Sequence, residues 1–176
     1  MLFLQPEPSE VINKVELLFM KIALLLTGKT TDKHIAGIAD LYLSRINKYS
    51  GFEIITQPDL KNYGTLPVHE QKIKEGKKIM QAVSGDDYVV LLDERGKEFR
   101  TVEFSGWLEK LFMISRRRIL FVIGGPWGFS EEVYGRADFI ISLSPMTFPH
   151  QLVRLLFLEQ LYRAFTIIKG EPYHHE

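Results

Sequence analysis

RILFVIGGPWG at residues 118–128 and FIISLSPMTFPH at residues 139–150 are the two stretches that decide the fold. Residues 119–123 and 139–143 have the length and the β-branched content of buried strands. Each strand runs into a loop of glycine, proline, serine or threonine, so we expect both loops to open on the same edge of one sheet. Ligands of open α/β sheets bind outside the carboxyl ends of the strands, because backbone N–H and C=O groups are free there. The sequence therefore predicts the active site on these two loops.

The composition is that of one soluble globular domain. Of 176 residues, 45% are apolar and 25% are charged, and 22 basic side chains balance 22 acidic ones. A chain without net charge lacks the positive electrostatic field that binds any nucleic acid through its phosphates. If the substrate is RNA, the shape of the RNA must therefore account for much of the specificity. The absence of cysteine excludes disulfides, thiolate catalysis and cysteine-based metal sites. Neither a membrane span nor a signal peptide is evident, and we expect a cytoplasmic protein.

Residues 1–19 are set apart from the rest of the chain. Pro6 and Pro8 interrupt any regular element there, and the first convincing strand begins only at Met20. We therefore expect Met20 to be the physiological start and residues 20–176 to form a single domain. The alternative is a helix over residues 10–19 that packs on the domain.

Strands and helices alternate along residues 20–176. Nearly continuous apolar strands are predicted over residues 20–26, 52–56, 88–92, 119–123 and 139–143. Asp32 is the expected N-cap of the first helix and Thr101 that of the third, and the third strand is expected to end before a turn at residues 95–97. This alternation predicts an α/β fold, a doubly wound domain in which helices flank both faces of a parallel sheet.

The helix predicted over residues 68–83 carries two different faces. Its inward residues are expected to be Ile73, Ile79, Met80 and Val83, and its outward residues Lys72, Lys74, Lys77 and Lys78. A lysine face of this kind more often solvates a helix than binds RNA, although an RNA patch is the alternative.

The last helix, predicted over residues 151–169, is apolar on two sides. One stripe comprises Val153, Phe157, Leu158, Leu161, Ala164, Phe165 and Ile168, and the other side carries Leu152, Leu155, Leu156, Tyr162 and Ile167. The stripe fits the sheet, and the other side predicts contact with a second subunit in a two-fold dimer. A neighbouring helix of the same chain is the alternative cover. Arg154 needs a partner near the loop, either at a functional site or in a structural ion pair.

The two loops favour a flat, neutral ligand. Glycines at positions 124, 125 and 128 let a ligand approach the backbone closely. Two prolines stiffen residues 144–150, where Met146 and Phe148 offer apolar contacts. This arrangement suits an adenine held by backbone hydrogen bonds. No dinucleotide-binding or P-loop motif is present, so neither NAD nor a nucleoside triphosphate is supported.

Three histidines lie at or near the second loop or in the tail. His150 follows the loop, and His174 and His175 lie at the C-terminus. No convincing Ser-His-Asp order, carboxylate pair or zinc-protease motif accompanies them. By composition alone, such a tail is ordinarily a frayed terminus rather than a site.

Six groups of residues occur along the chain in an order typical of one family. They are Leu91-Leu92-Asp93 with Gly96-Lys97, Ile123-Gly124-Gly125 with Gly128, Ser142-Leu143-Ser144 with Thr147 and Pro149-His150, Leu152-Val153-Arg154, Glu159-Gln160-Leu161-Tyr162-Arg163-Ala164, and Pro172-Tyr173-His174. In this order they closely resemble the bacterial RlmH-type enzymes. These are SPOUT-class methyltransferases that methylate N3 of a pseudouridine in 23S ribosomal RNA. The resemblance spans residues 20–176 and leaves residues 1–19 outside.

The resemblance implies a C-terminal trefoil knot, a homodimer, S-adenosylmethionine as the cofactor and no metal. It places the cofactor against Leu92, Gly124, Leu143, Ser144, Pro145, Met146, Thr147 and Phe148. It assigns catalysis to His174, Arg154, Arg163 and Tyr173, and RNA contact to His150 and His175. The family often has arginine or lysine at the position of His175, so we expect a weaker contact to RNA there.

The implied chemistry is an in-line displacement, in which positioning contributes most of the catalysis. N3 of a pseudouridine carries a proton that must leave, which calls for a base or for a group that stabilises the anion. We hypothesise that His174 is the base and that Arg154 or Arg163 stabilises the developing negative charge. The neutral overall charge fits a further expectation from the family, that the substrate is the assembled ribosome rather than free RNA.

Three other functions compete with this interpretation. One is a SPOUT methyltransferase that acts on another RNA, such as a tRNA. Another is a non-catalytic dimer that binds ribosomes or nucleotides, which normal cofactor binding without methyl transfer would favour. The third, a flavodoxin-like redox protein, leaves the loop over residues 146–150 and the tail unexplained.

Overall fold

A five-stranded parallel sheet forms the centre of the structure, a computed structural model that describes residues 21–60, 65–114 and 116–173. The strands are β1 (Lys21–Thr27), β2 (Gly51–Gln57), β3 (Asp87–Glu98), β4 (Arg118–Ile123) and β5 (Phe139–Ser142). They pair in the order β2-β1-β4-β3-β5, and every pair is parallel. The predicted parallel sheet is confirmed. The expected start at Met20 and the alternative helix over residues 10–19 lie outside the described residues.

Helices cover both faces of the sheet. In the described part of the chain they are α1 (Lys33–Ile46), α2 (Val68–Ala82), α3 (Thr101–Leu111), α4 (Glu131–Arg136) and α5 (His150–Ile168). Helices α1, α3 and α5 pack on one face, where Ile46, Leu108 and Phe157 join one core. Helices α2 and α4 cover the opposite face through Ile79 and Val133. The expected doubly wound arrangement is therefore present.

The helix starts follow local side-chain chemistry. Asp32 caps α1 as predicted, because its Oδ1 accepts hydrogen bonds from the backbone N–H groups two and three residues later, at 2.8 and 3.1 Å. The predicted cap of α3 is wrong. Thr101 is the first helical residue, and its hydroxyl donates to Oε1 of Gln160 at 3.1 Å. The N-cap is Arg100, whose backbone N–H donates to Oε2 of Glu103 at 2.9 Å.

Strand β3 is longer than predicted. It continues beyond Leu92 to Glu98, with a shift of register against β5 between Leu92 and Lys97. Lys97 and Glu98 pair with Ile141 and Ser142, so residues 95–97 belong to the strand and not to a turn. The apolar pattern stops at Leu92 because most side chains of the extension are exposed. Hydrophobicity alone therefore marks only the buried half of β3.

The inward face of α2 also differs from the prediction. Its buried residues are Gln71, Glu75, Gly76 and Ile79, whereas Ile73 is 38% exposed. Polar side chains occupy inward positions because this helix supports a loop as well as the sheet. The hydrophobic pattern therefore indicates the wrong orientation for the first half of the helix.

The lysines of α2 make local contacts. Lys78 donates through Nζ to the backbone carbonyl oxygens of Pro58 and Asp59, at 2.7 and 3.3 Å. Lys74 lies 3.8 Å from Glu70, and both side chains are half exposed. An ion pair of this kind contributes little to stability. These contacts fit the solvated-face interpretation of the lysines.

Helix α5 lies between α1 and α3. The centre of its predicted inward stripe is confirmed, since Phe157, Leu158, Leu161, Ala164 and Phe165 are buried. On the other side, Tyr162 packs against Tyr42 of α1, with ring centroids 5.9 Å apart. The remaining aliphatic residues of that side are only half-buried and lie outside the core, and they are Leu152, Leu155, Leu156 and Ile167. The flanking helices therefore cover the second side only in part.

A buried ion pair joins the amino ends of β3 and β4. The carboxylate of Asp87 accepts hydrogen bonds from Nε and Nη2 of Arg118, at 3.1 and 2.7 Å, and from the backbone N–H of Ser84 at 2.8 Å. Burial raises the pKa of Asp87, but the hydrogen bonds from Arg118 and Ser84 outweigh it and hold the pKa below its ordinary value of 3.8. The carboxylate therefore stays ionised and tied to β4.

We expect Asp87→Asn to lower the free energy of unfolding by about 3 kcal/mol at pH 7, because Arg118 loses its main partner. The folded-state pKa of Asp87 is lowered, so its stabilising effect is present above about pH 4 and is lost as the pH falls further. Urea unfolding of both proteins between pH 7 and pH 2 measures this, and the difference should shrink at the acid end. Glu53→Gln, at an exposed carboxylate 3.6 Å from Arg118, is the control and should cost less than about 1 kcal/mol. Equal losses in the two variants would contradict the prediction.

Candidate active site

A cavity of about 490 Å³ opens at the carboxyl ends of β3, β4 and β5. It is lined by Leu92 of β3, Ile123 at the end of β4 and Ser142 at the end of β5. The loops that follow β4 and β5 supply most of the remaining lining. The structure thus brings both loops to one edge of the sheet. The volume falls in the range of small-molecule sites.

The glycine loop after β4 packs closely on α2. A Cβ atom at Gly125 would lie 2.6 Å from both carboxylate oxygens of Glu75, a side chain that is only 3% exposed. Gly128 has a φ angle of 75°, a conformation that side-chain-bearing residues rarely adopt. The shape of this loop therefore requires glycine at both positions.

Trp127 is tied to the same helix. Its Nε1 donates to Oε1 of Gln71 at 3.1 Å, and Nε2 of Gln71 donates to the backbone carbonyl oxygen of Leu66 at 2.6 Å. Two buried polar side chains, Gln71 and Glu75, therefore face the glycine loop from α2. Sequence reasoning missed both, because it sought apolar inward residues. The available signal was their spacing of four residues, which places them on one side of a helix.

The loop after β5 presents apolar side chains to the cavity. The hydroxyl of Ser142 donates to the backbone oxygen of Ser144 at 2.9 Å, and the hydroxyl oxygen of Ser144 accepts from the backbone N–H of Met146 at 3.0 Å. Met146 is 70% exposed, so its side chain is available to a ligand. Among the residues predicted to contact the cofactor, Pro145 does not line the cavity. Those that do are Leu92, Gly124, Leu143, Ser144, Met146, Thr147 and Phe148.

Asp93 and Tyr134 form a polar pair in the cavity wall. The phenol of Tyr134 donates to Oδ2 of Asp93 at 2.6 Å, and the backbone N–H of Arg95 donates to Oδ1 at 3.0 Å. Burial raises the pKa of Tyr134 to about 12, with the hydrogen bond to Asp93 adding to the effect, so the phenol stays protonated. The Asp93 carboxylate is thereby held in place beside the cavity. Sequence reasoning missed this pair because 41 positions separate its members.

His150 begins α5 and lines the cavity. Burial lowers the pKa of His150, and the charge of nearby Arg154 lowers it further. The imidazole is therefore uncharged at neutral pH. A neutral ring offers one donor and one acceptor to a ligand.

Arg154 is a buried cation, only 1% exposed. Its Nη2 donates to the backbone oxygen of Thr27 at 2.6 Å and its Nη1 to Oγ1 of Thr30 at 2.9 Å, while its Nε has no partner within the described residues. Burial lowers the pKa of Arg154, and Asp59 partly opposes that effect. No carboxylate of the described ranges forms an ion pair with Arg154. The structural ion pair considered from the sequence is absent there, which favours a functional role.

Arg163 and Tyr173 lie toward the other end of α5. Arg163 donates through Nε to Oε1 of Glu159 at 2.9 Å, and its guanidinium lies 5.0 Å from the centre of the Tyr173 ring. Neither residue lines the 490 Å³ cavity, and the buried Arg154 is not part of its lining either. Nine helical steps, about 14 Å, separate Arg163 from Arg154. The structure therefore brings none of Arg154, Arg163 and Tyr173 into the lining of the cavity of their own chain. His174 and His175 lie outside the described residues.

Two further kinds of feature are missing from the described ranges. No helix in them is long and apolar enough to cross a membrane. No three histidine, aspartate or glutamate side chains in the same ranges gather where they could hold a metal ion.

Comparison with known proteins supports the resemblance seen in the motifs. A family model described as a predicted SPOUT methyltransferase matches residues 20–174. The ribosomal RNA large subunit methyltransferase H of Christiangramia forsetii is 53% identical over 156 residues, which cover 89% of this chain and 99% of that protein. Proteins of the same name from Phocaeicola vulgatus and Parabacteroides distasonis are 48% and 50% identical over 157 residues, covering 89% of this chain and 100% of each relative. The chain therefore belongs to the SPOUT methyltransferase family.

Proposed function

We propose that this protein transfers a methyl group from S-adenosylmethionine to N3 of a pseudouridine in 23S ribosomal RNA. The observation that carries the proposal is the cavity at the carboxyl ends of β3, β4 and β5, because the loops that form it bear the RlmH-type motifs. The name shared by the close relatives supports ribosomal RNA as the substrate. The assembled ribosome, in the cytoplasm, is the proposed form of that substrate.

The cavity suits S-adenosylmethionine. Leu92, Met146 and Phe148 provide apolar surface for the adenine ring, and the strand ends provide free backbone groups. The carboxylate of Asp93 provides an acceptor for a hydroxyl or ammonium group. The residues present therefore fit this group in size and chemistry. When bound, the cofactor supplies an electrophilic methyl carbon on a positively charged sulfur.

The residues of the chain have to remove a proton and stabilise an anion. N3 of the target base attacks only as its proton leaves, and we assign that proton to His174. Arg154 is the proposed stabiliser of the negative charge, because an anionic partner would offset the cost of burying its guanidinium. His150, neutral and at the rim of the cavity, is proposed to contact the RNA.

A homodimer is part of the proposal. Leu152, Leu155, Leu156 and Ile167 leave a half-buried aliphatic surface on α5 that a second copy would cover. Because the end of α5 with Arg163 and Tyr173 lies away from the cavity of its own chain, these residues reach a cavity only if it belongs to the partner subunit. A two-fold interface would exchange the two ends reciprocally.

The proposed fold includes a C-terminal trefoil knot. In the sheet, β3 lies between β4 and β5, so the connection from β4 to β5 passes β3 on the face that α4 covers. After β5 the chain changes to the opposite face, where α5 packs between α1 and α3. This change of face after β5 fits the threading that the RlmH resemblance implies, an exception to the usual absence of knots.

The central test is methyl transfer from labelled S-adenosylmethionine to ribosomes that lack the modification. We expect label on one pseudouridine of 23S RNA, found by nuclease mapping, and much less label when naked 23S RNA replaces the ribosome. Label on another RNA would keep the enzyme class and change the substrate. Normal cofactor binding without any label would refute the proposed activity and leave a binding protein.

His174→Ala should retain cofactor affinity and lose at least about 100-fold in turnover, because general bases contribute on that order. Single-turnover rates with ribosomes measure the loss, and calorimetry with S-adenosylhomocysteine measures the affinity. His69→Ala, at an exposed histidine of α2, is the matched control and should behave as wild type. Full turnover by the His174 variant would exclude this residue as the base.

Gly125→Ala should weaken cofactor binding about tenfold or more, since the new methyl group would displace the loop or Glu75. Gly106→Ala in α3 is the control, because a Cβ there would meet nothing within 4 Å beyond its neighbours and the backbone of its own helix. Calorimetry with S-adenosylhomocysteine compares the two variants. Unchanged affinity in Gly125→Ala would show that the loop does not hold the cofactor.

A further inference from the structure

A second cavity, of about 760 Å³, lies where α1 and α5 end. Three cations and three tyrosines line it, and we call it the cation–tyrosine cavity after Arg45, Lys48, Lys169, Tyr49, Tyr162 and Tyr173. It lies near the opposite end of α5 from the 490 Å³ cavity. Of these residues, only Tyr173 has been proposed above to act at the functional site.

The three cations are not neutralised by the described residues. No carboxylate of residues 21–60, 65–114 or 116–173 forms an ion pair with Arg45, Lys48 or Lys169. Glu171 is the acidic residue of the lining, and it accepts a hydrogen bond from the phenol of Tyr49 at 2.5 Å. Three positive charges against one negative charge leave a local excess of two, on a chain whose formal net charge is zero. The lining of this cavity is therefore locally positive.

The tyrosines form one connected aromatic cluster beside these charges. The ring of Tyr162 lies 6.0 Å from that of Tyr49 and 4.9 Å from that of Tyr173. Tyr49 in turn stacks on Phe165 of the core, at 5.5 Å and nearly parallel. The guanidinium of Arg45 lies 5.5 Å from the centre of the Tyr162 ring. The rings are thus anchored to the core while they line an open cavity.

A simpler structural role accounts for only part of this arrangement. Arg45 lies in the last turn of α1 and Lys169 caps α5, so both cations offset the partial negative charge of a helix C-terminus. That effect does not require Lys48, nor does it require tyrosines around an open cavity. Cations that track a backbone, combined with aromatic rings on which bases stack, are the features that bind single-stranded nucleic acid.

We propose that the cation–tyrosine cavity binds a single-stranded segment of ribosomal RNA beside the target nucleotide, with phosphates against Arg45, Lys48 and Lys169 and bases against the tyrosines. This inference rests on the proposed function and adds the RNA-docking surface to it. In the proposed dimer, the end of α5 that carries Tyr173 lies over the partner's cofactor cavity, so this surface adjoins the reacting base. Contact of this surface with the same surface of a second copy is a poorer alternative, because it would oppose like charges.

The variant Arg45→Gln/Lys48→Gln tests the proposal, because it removes two charges and keeps two long side chains. Its matched control is Lys72→Gln/Lys77→Gln on α2, on the other face of the sheet. Co-sedimentation with ribosomes that lack the modification gives the dissociation constant at several salt concentrations, and methyl transfer gives KM and kcat. We expect about a tenfold rise in the dissociation constant and in KM, and a salt slope smaller by about 1.4 in the first variant alone. Its kcat and its affinity for S-adenosylhomocysteine should match wild type.

Three results would overturn the proposal. They are equal ribosome binding by the two double variants, a fall in melting temperature without any change in ribosome binding, and conversion of the first variant to a monomer in light scattering. The last result would make the cavity an interface between copies. Failure of the wild type to methylate ribosomes would refute the proposed function. The docking proposal would still be tested separately, because it depends on how tightly the variants bind ribosomes.

Discussion

The site depends on the pairing of β4 along both of its edges. β4 is held by β1 on one side and by β3 on the other, in register from Arg118 to Ile123. Its carboxyl end therefore cannot shift without breaking two ladders, and the glycine loop starts from a fixed point. Gln71 then holds the far side of that loop against α2 through Trp127, and Glu75 packs closely against Gly125. Together, the two ladders and these two contacts from α2 fix the position of the loop's backbone groups at the cavity.

The sequence predicted much of this arrangement. The buried strands are identified to within one residue at each end, except for β3. The edge on which the cavity opens follows from the parallel order alone, because every βα loop must leave the same edge. The motif resemblance placed the loops of the cavity, and all of its cofactor candidates but Pro145 line it.

The remaining features of the fold and the site could not be predicted from the sequence, because they depend on contacts between distant positions. The inward residues of α2 are polar since they meet Gly125 and Trp127, and a hydrophobic pattern cannot show such a partner. The part of β3 after Leu92 is largely exposed, which removes the apolar signal that marks a strand. Arg154 lacks a carboxylate partner in the described residues, a fact about surroundings that no spacing reveals. Local patterns determine which elements form, whereas the orientation of polar side chains is determined by the elements they meet.

The contact between Trp127 and Gln71 has a practical consequence. The sequence contains two tryptophans, and the other one, Trp107, lies in an aromatic stack 5.5 Å from Phe99 and 5.1 Å from Phe139. Trp127 instead stands half exposed at the rim of the cavity, with its indole N–H fixed by α2. The two indoles therefore lie in environments of different polarity. A shift of the fluorescence emission maximum of Trp127 on adding a ligand would report on the glycine loop. The protein therefore carries its own fluorescent reporter at the rim of the 490 Å³ cavity.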